Sequence, residues 1–198
     1  NLWAGREIDE TGSKNWLSTD GSGPKFIKGK MVDRYKMVEE PSQYINVRKA
    51  LPVSTNFERI AWRDISRPNQ KRRIIATTIP KNTIAGNSLG IAYFKDGDQK
   101  SLYSLLAVMN SLCFEFQLRC HLATNHLSLS AIRKVCLPPR EVLSRLSNLS
   151  GKTSSLLQNQ GQNSSELEAI VARDLYKLNK EEFCLLMDAF DKLTKKEK

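Results

Sequence analysis

Residues 58–80 read ERIAWRDISRPNQKRRIIATTIP. Two stretches rich in β-branched and aromatic residues, 58–65 and 72–79, flank a Pro-Asn turn, which is the pattern of a β-hairpin. The turn and its edges carry Arg67, Lys71, Arg72 and Arg73, with Asn69 and Gln70 at the tip and Arg63 between Trp62 and Asp64. Like charges crowded onto one hairpin repel each other. The cluster therefore reads either as a solvated surface or as the seat of a polyanion.

The charge of the whole chain bears on that choice. The 198 residues include 31 Lys+Arg and 21 Asp+Glu, a net charge of +10, and the pI is about 9.5. That value passes the rough threshold of about 9 that flags nucleic-acid binders. Residues 140–198 hold 10 basic and 9 acidic residues, whereas residues 1–139 hold 21 and 12, so +9 of the +10 lies in one contiguous part. A binding footprint needs that concentration.

The four cysteines, Cys113, Cys120, Cys136 and Cys184, form no C-x-x-C pair, which fits reduced thiols in a cytoplasmic protein. Cys113 and Cys120 fall seven apart and are expected as buried small hydrophobes on one helical face. His121 and His126, the only histidines, have no carboxylate or thiolate at ligand spacing, so no metal is expected. No apolar run reaches the ~18 residues of a membrane span, and no signal peptide opens the chain. The first residue is Asn, as in a piece of a longer protein.

Hydrophobic period divides the chain into two parts. Strands are expected at 26–35, 44–47, 59–65, 72–79 and 89–94, with 81–88 as a connection. Leu102, Leu105, Leu106, Met109, Leu112, Cys113, Phe116 and Cys120 recur at helical spacing and predict one helix over 101–121. Residues 126–139 return to a strand-like run closed by Pro138-Pro139. Beyond it, Val142, Leu146, Leu149 and Leu156 lie near a heptad seam. Ser165-x-x-Glu168 and Asn179-x-x-Glu182 read as capping boxes that open two further helices. The expected fold is α+β: a twisted, mostly antiparallel sheet or open barrel in a domain over 1–139, with one packed amphipathic helix. Helices over 140–198 are expected to project from it as a bundle or hairpin.

A search for reaction chemistry returns little. There is no Gly-rich phosphate loop, no G-x-S-x-G, no Asn-Pro-Pro-aromatic sequence and no acid–acid–lysine nuclease cluster. Asp64 stands alone in the sequence, and Glu39-Glu40 precedes Pro41 without a lysine in register. By elimination the chain binds rather than catalyses.

The runs RIAWRDISRPNQKRRIIATTIP (59–80), GNSL (86–89) and LYSLLAVMNSLCFEFQLRCHLATNHLSLSAIRKVCLPP (102–139) carry a resemblance. In this order they resemble the TaqI-like C-terminal target-recognition domain of adenine-specific DNA methyltransferases, including fused type II restriction–modification enzymes. PKFIKGKMVDRY (24–35) and the closing ELEAIVARDLYKLNKEEFCLLMDAF are similar to flanking parts of that family, so the likeness covers roughly 24–195. It implies that a methyltransferase domain, with its S-adenosylmethionine, lies upstream in the same polypeptide. It also implies that the present segment holds no catalytic residue and no cofactor of its own. The implied partner is double-stranded DNA, in a bacterial or archaeal cytoplasm.

On that reading the DNA-binding residues are Arg63, Arg67, Asn69, Gln70, Lys71, Arg72 and Arg73 on the hairpin. Lys28 and Lys30, with Lys14 and Asn15, form a second strip, and Asn125 with His126 a third. Arginine reads guanine, Asn or Gln reads adenine, and lysines grip phosphate. As exposed turn charges, Lys71 and Arg72 are expected to contribute under ~1 kcal/mol to stability. Other readings stay open. Arg59 or Arg63 covers Trp62 or pairs with Asp64 as scaffold, Arg73 forms a structural salt bridge, and Trp3 and Trp16 are partly buried. Lys195, Lys196 and Lys198 form a solvated tail. The competing function is a protein-docking domain whose basic face is incidental.

Overall fold

The structure, a computed structural model, describes residues 1–46, 51–161 and 164–194. The run Leu89–Phe94 is apolar without alternation because β10 (Leu89–Phe94) is an inner strand, buried along its whole length. It pairs antiparallel with β1 (Leu2–Gly5) on one side and with β7 (Arg59–Arg63) on the other, and β7 pairs with β8 (Ala76–Ile79). Ile60, Trp62, Ala92 and Phe94 point to one face of this sheet, whereas Ala61, Leu89 and Ile91 point to the other. That is the period of two acting on a sheet covered on both sides. Gly90 sits opposite Trp62, and a Cβ there would overlap the indole.

One face is covered by a second layer of short strands. β2 (Leu17–Ser18), β6 (Tyr44–Ile45), β3 (Lys25–Ile27) and β9 (Thr83–Ala85) form it, with β3 and β9 parallel. A ribbon of β4 (Val32–Asp33) and β5 (Lys36–Met37) completes it. The fold is thus mixed α+β with largely antiparallel sheets and no closed barrel, as the sequence predicts. Several elements differ in detail. The strand expected over 26–35 is broken by a 3-10 turn at Gly29–Met31, and β9 forms inside the expected connection. The strand expected at 72 starts only at Ala76, so the hairpin loop spans 64–75. Val47, the end of another expected strand, and Lys195, Lys196 and Lys198 lie outside the described residues.

Helices cover the other face. The single helix expected over 101–121 is two, α1 (Gln99–Met109) and α2 (Leu112–Arg119). The break at Asn110-Ser111 has a physical cause. The Asn110 side chain pairs with the Ala76 backbone, accepting from its N–H at 3.1 Å and donating to its carbonyl at 2.9 Å. The Asn110 carbonyl is taken by the guanidiniums of Arg34 (2.9 Å) and Arg72 (2.5 Å). Ser111 then caps α2 by accepting from the Phe114 N–H. The split leaves Cys113 buried but Cys120 exposed at the end of α2, contrary to the expected shared face. The run expected as strand-like after His126 forms instead α3 (Leu129–Lys134), capped by Ser128.

Beyond Pro139, α4 (Arg140–Arg145) and α5 (Ser147–Gln158) lie along α1 rather than projecting away. Leu143, Leu149, Leu156, Leu167 and Ile170 share one core with Ile60, Trp62, Leu102 and Leu106, while Val142 is exposed. α6 (Ser165–Ile170) continues as a π turn over Val171–Leu175. α7 (Lys180–Asp188) opens with the expected box, Asn179 and Glu182 capping each other reciprocally.

Glu168, the other expected capping residue, does something else. Its Oε2 accepts from the Leu112 N–H at the start of α2 (2.8 Å), a favourable place for a carboxylate. Its Oε1 accepts from Arg34 (3.2 Å) and Arg72 (3.0 Å). Arg72 also donates to Glu115 at 2.8 Å, and Glu115 accepts from the Arg73 N–H and from Arg119. The Arg72 side chain is 10% exposed and that of Glu115 fully buried. Burial opposes the charge on Arg72, yet Glu168 and Glu115 hold its pKa above the ordinary value. Arg72 is thus an interior residue, not the exposed turn charge the sequence suggests.

Arg72→Ala leaves two buried carboxylates short of a partner and should cost about 3–5 kcal/mol in urea unfolding. Lys25→Ala, at the exposed pair with Glu40, should cost under ~1 kcal/mol. Asp98 caps α1 through Ser101 and binds Arg140, the first residue of α4. Burial raises its pKa, but the bonds from Ser101 and Arg140 outweigh that and bring it from 3.8 to about 2. Its charge therefore stabilises the fold above pH ~4, and that part is lost as pH falls toward 2. The stability gap between wild type and Asp98→Asn should close over that window in acid-titrated unfolding.

Candidate nucleic-acid interface

The antiparallel order brings several strand ends to one rim of the main sheet. The register pairs Gly5 with Ile91, Leu89 with Arg63 and Trp62 with Ala76. The exit of β1, the loop from β7 to β8 and the entry to β10 therefore lie together.

Asp64, the first residue past β7, ties this rim. Its N–H donates to the Ser88 carbonyl (2.9 Å) and its own carbonyl accepts from the Leu127 N–H (2.6 Å). Its Oδ1 accepts from Arg6 Nη2 at 2.5 Å, and its Oδ2 lies 2.8 Å from His126 Nδ1. Asp64 does not stand alone, then, and His126 does have a carboxylate partner. Both partners come from far away in the sequence, where spacing carries no signal. Ile65 bridges His126 in antiparallel fashion, and the Ser66 N–H donates to the Asn125 carbonyl at 2.8 Å. The hairpin loop and the Asn125–His126 segment thus run side by side, as two separately expected strips joined into one surface.

The loop's turn is held from inside. Gln70 Oε1 accepts from the Ser66 hydroxyl (3.0 Å) and the Arg67 N–H (2.9 Å), so this oxygen is engaged in the turn. Arg67, Asn69 and Lys71 are exposed around it, and Ile65 is a large hydrophobe at 57% exposure. The Lys71 carbonyl accepts from Arg119 at 3.2 Å, which fixes the loop's return to α2.

On the opposite flank, Ser88 Oγ accepts from the Gly29 N–H (2.9 Å) and donates to Glu10 (3.2 Å). Glu10 lies 3.7 Å from Lys28 Nζ, so Lys28 belongs to the same rim. Lys30 pairs with Glu39 at 2.8 Å. Lys14 and Asn15 occupy a 3-10 turn that leads into β2 in the other layer.

Three hairpin arginines face inward. Arg63 Nε donates to the Val32 carbonyl at 2.6 Å. Arg72 is in the buried network described above. Arg73 donates to the Thr124 carbonyl at 2.9 Å, and burial together with neighbouring Arg119 lowers its pKa. The scaffold reading holds for Arg59, though its partner is Glu7, with both side chains fully buried. Trp3 is half-buried against Tyr93, with ring centroids 5.3 Å apart. Sequence reasoning missed Arg6, Asp64 and Ile65 as surface-building residues.

Among the described residues, no group of three or more His, Cys, Asp or Glu is placed to hold a metal ion, and no helix is long and apolar enough to cross a membrane. No family model and no curated protein matches the sequence. Solved structures do. A type IIL restriction–modification enzyme, MmeI, in complex with DNA, aligns with 97% of this chain at TM-score 0.53 and 11% identity. A protein of a type I restriction–modification system aligns with 96% at TM-score 0.46 and 14% identity. The chain spans 32% of the first of these and 43% of the second. The likeness to the type IIL enzyme defines the class of fold as one found in restriction–modification enzymes.

Proposed function

We propose that this chain is the DNA target-recognition module of a restriction–modification enzyme, of the TaqI-like type that its sequence motifs resemble. The observation that carries the reading is the rim. A loop with exposed Arg67, Asn69 and Lys71 is braced edge to edge against Asn125–His126 and flanked by Lys28. Cations on this surface replace counterions along the phosphate backbone, while amides and apolar groups meet base edges. Ile65 offers the apolar contact that a thymine methyl takes, and Asn69 the amide that reads adenine. The rigid sheet beneath lowers the entropic cost of presenting these groups. S-adenosylmethionine and the chemistry belong, on this reading, to a methyltransferase domain elsewhere in the same polypeptide. This segment would present the target adenine to it.

Fluorescence anisotropy with duplex DNA over a salt series tests the reading. Affinity should fall steeply with salt, and Arg67→Ala should lower the slope of log K against log[salt] by about 0.9. Lys25→Ala, on the second layer, should leave it unchanged. Salt-independent binding, or an unaltered slope for Arg67→Ala, would overturn the assignment and favour a protein-docking domain.

A further inference from the structure

The Asp64 carboxylate shows an asymmetry that a scaffold pair does not need. In the scaffold pair Glu7–Arg59, both side chains are fully buried. Asp64 is also buried, its side chain only 7% exposed, but its two partners are not: Arg6 is 42% exposed and His126 is 59% exposed. Burying a carboxylate is costly unless it is paired, and this one is paired with groups that keep their working faces in solvent.

We propose that Asp64 is a positioning residue that aims Arg6 at a guanine edge in the major groove. This rests on the DNA-recognition reading and adds to it a specificity-determining residue, Arg6, that the motifs do not contain. One Nη2 hydrogen of Arg6 goes to Asp64. The guanidinium keeps the other Nη2 hydrogen, both on Nη1 and the one on Nε, so its planar fork is intact. Guanine O6 and N7 are the acceptors that fit such a fork. Asp64 can hold Arg6 because its own backbone is fixed on both sides, by Ser88 and by Leu127. It limits the rotamers of a long side chain, which lowers the entropy lost on binding. His126 is held from the same carboxylate. Its Nδ1 faces an acceptor-only group and so carries a proton, leaving Nε2 for solvent or DNA.

Selection from randomised duplexes by the whole chain, compared with Arg6→Lys and Asp64→Asn, tests this. Arg6→Lys keeps a positive charge beside Asp64 and loses the fork at an exposed position, and its thermal melt checks that it folds. It should lose about 10-fold preference for guanine at one base pair, with the salt slope and all other positions unchanged. Asp64→Asn should relax the same position, provided its thermal melt shows it folded; Arg6→Lys decides the matter without it. If wild type selects a sequence and Arg6→Lys selects the same one with equal stringency, Arg6 grips phosphate or nothing. The inference then fails while DNA recognition stands. If wild type selects no sequence, both fail together.

Discussion

The rim depends on a carboxylate supplied from far along the chain. Glu168, on α6, accepts from Arg34 in the β4–β5 turn, from Arg72 near the end of loop 64–75 and from the first N–H of α2. Two guanidiniums and two carboxylates removed from water would each be costly alone. Here each finds a partner, and the buried Asn110 carbonyl at the break between α1 and α2 accepts from both guanidiniums. The network adds less to net stability than to position. It fixes where loop 64–75 leaves the sheet and ties that point to the C-terminal helices. Arg119 extends it, holding the Lys71 carbonyl and lying 4.5 Å over the ring of Phe190.

The basic hairpin consequently divides into two sets of residues. Arg63, Arg72 and Arg73 face inward and build the platform, whereas Arg67, Asn69 and Lys71 stand on it. The crowding is relieved because Arg72 is paired with Glu115 and Glu168, while Arg63 and Arg73 are held by the Val32 and Thr124 carbonyls. The outer set is joined by groups from three distant segments, namely Arg6, Lys28 and Asn125–His126. Such a mixture of cations, amides and one exposed isoleucine suits base edges as well as phosphate.

The sequence made the local rules of this fold legible. The runs at 59–65 and 89–94 were legible as strands, and Asn179-x-x-Glu182 as a helix start. Features set by distant partners were hidden. The break at Asn110 follows from pairing with Ala76 and from two guanidiniums, none of which helical periodicity can register. Glu168 matched a capping box by spacing, but a stronger charged partner won it. At the site, exposed turn residues were legible from composition and Pro68. The Arg6–Asp64–His126 cluster was not, because sheet register brings residue 6 beside 64 and an isolated bridge at Ile65 adds 126.

Hydrogen exchange of the whole chain with and without duplex DNA at low salt tests the central claim most directly. Phosphate contacts suffice to dock the chain under those conditions, so the target sequence need not be known. The account predicts new protection confined to residues 6–10, 28–30, 64–71 and 124–127, with α7 and the β2–β6 edge unchanged. Protection centred on α7 or on Lys14–Trp16, with loop 64–71 exchanging as in the free chain, would contradict it.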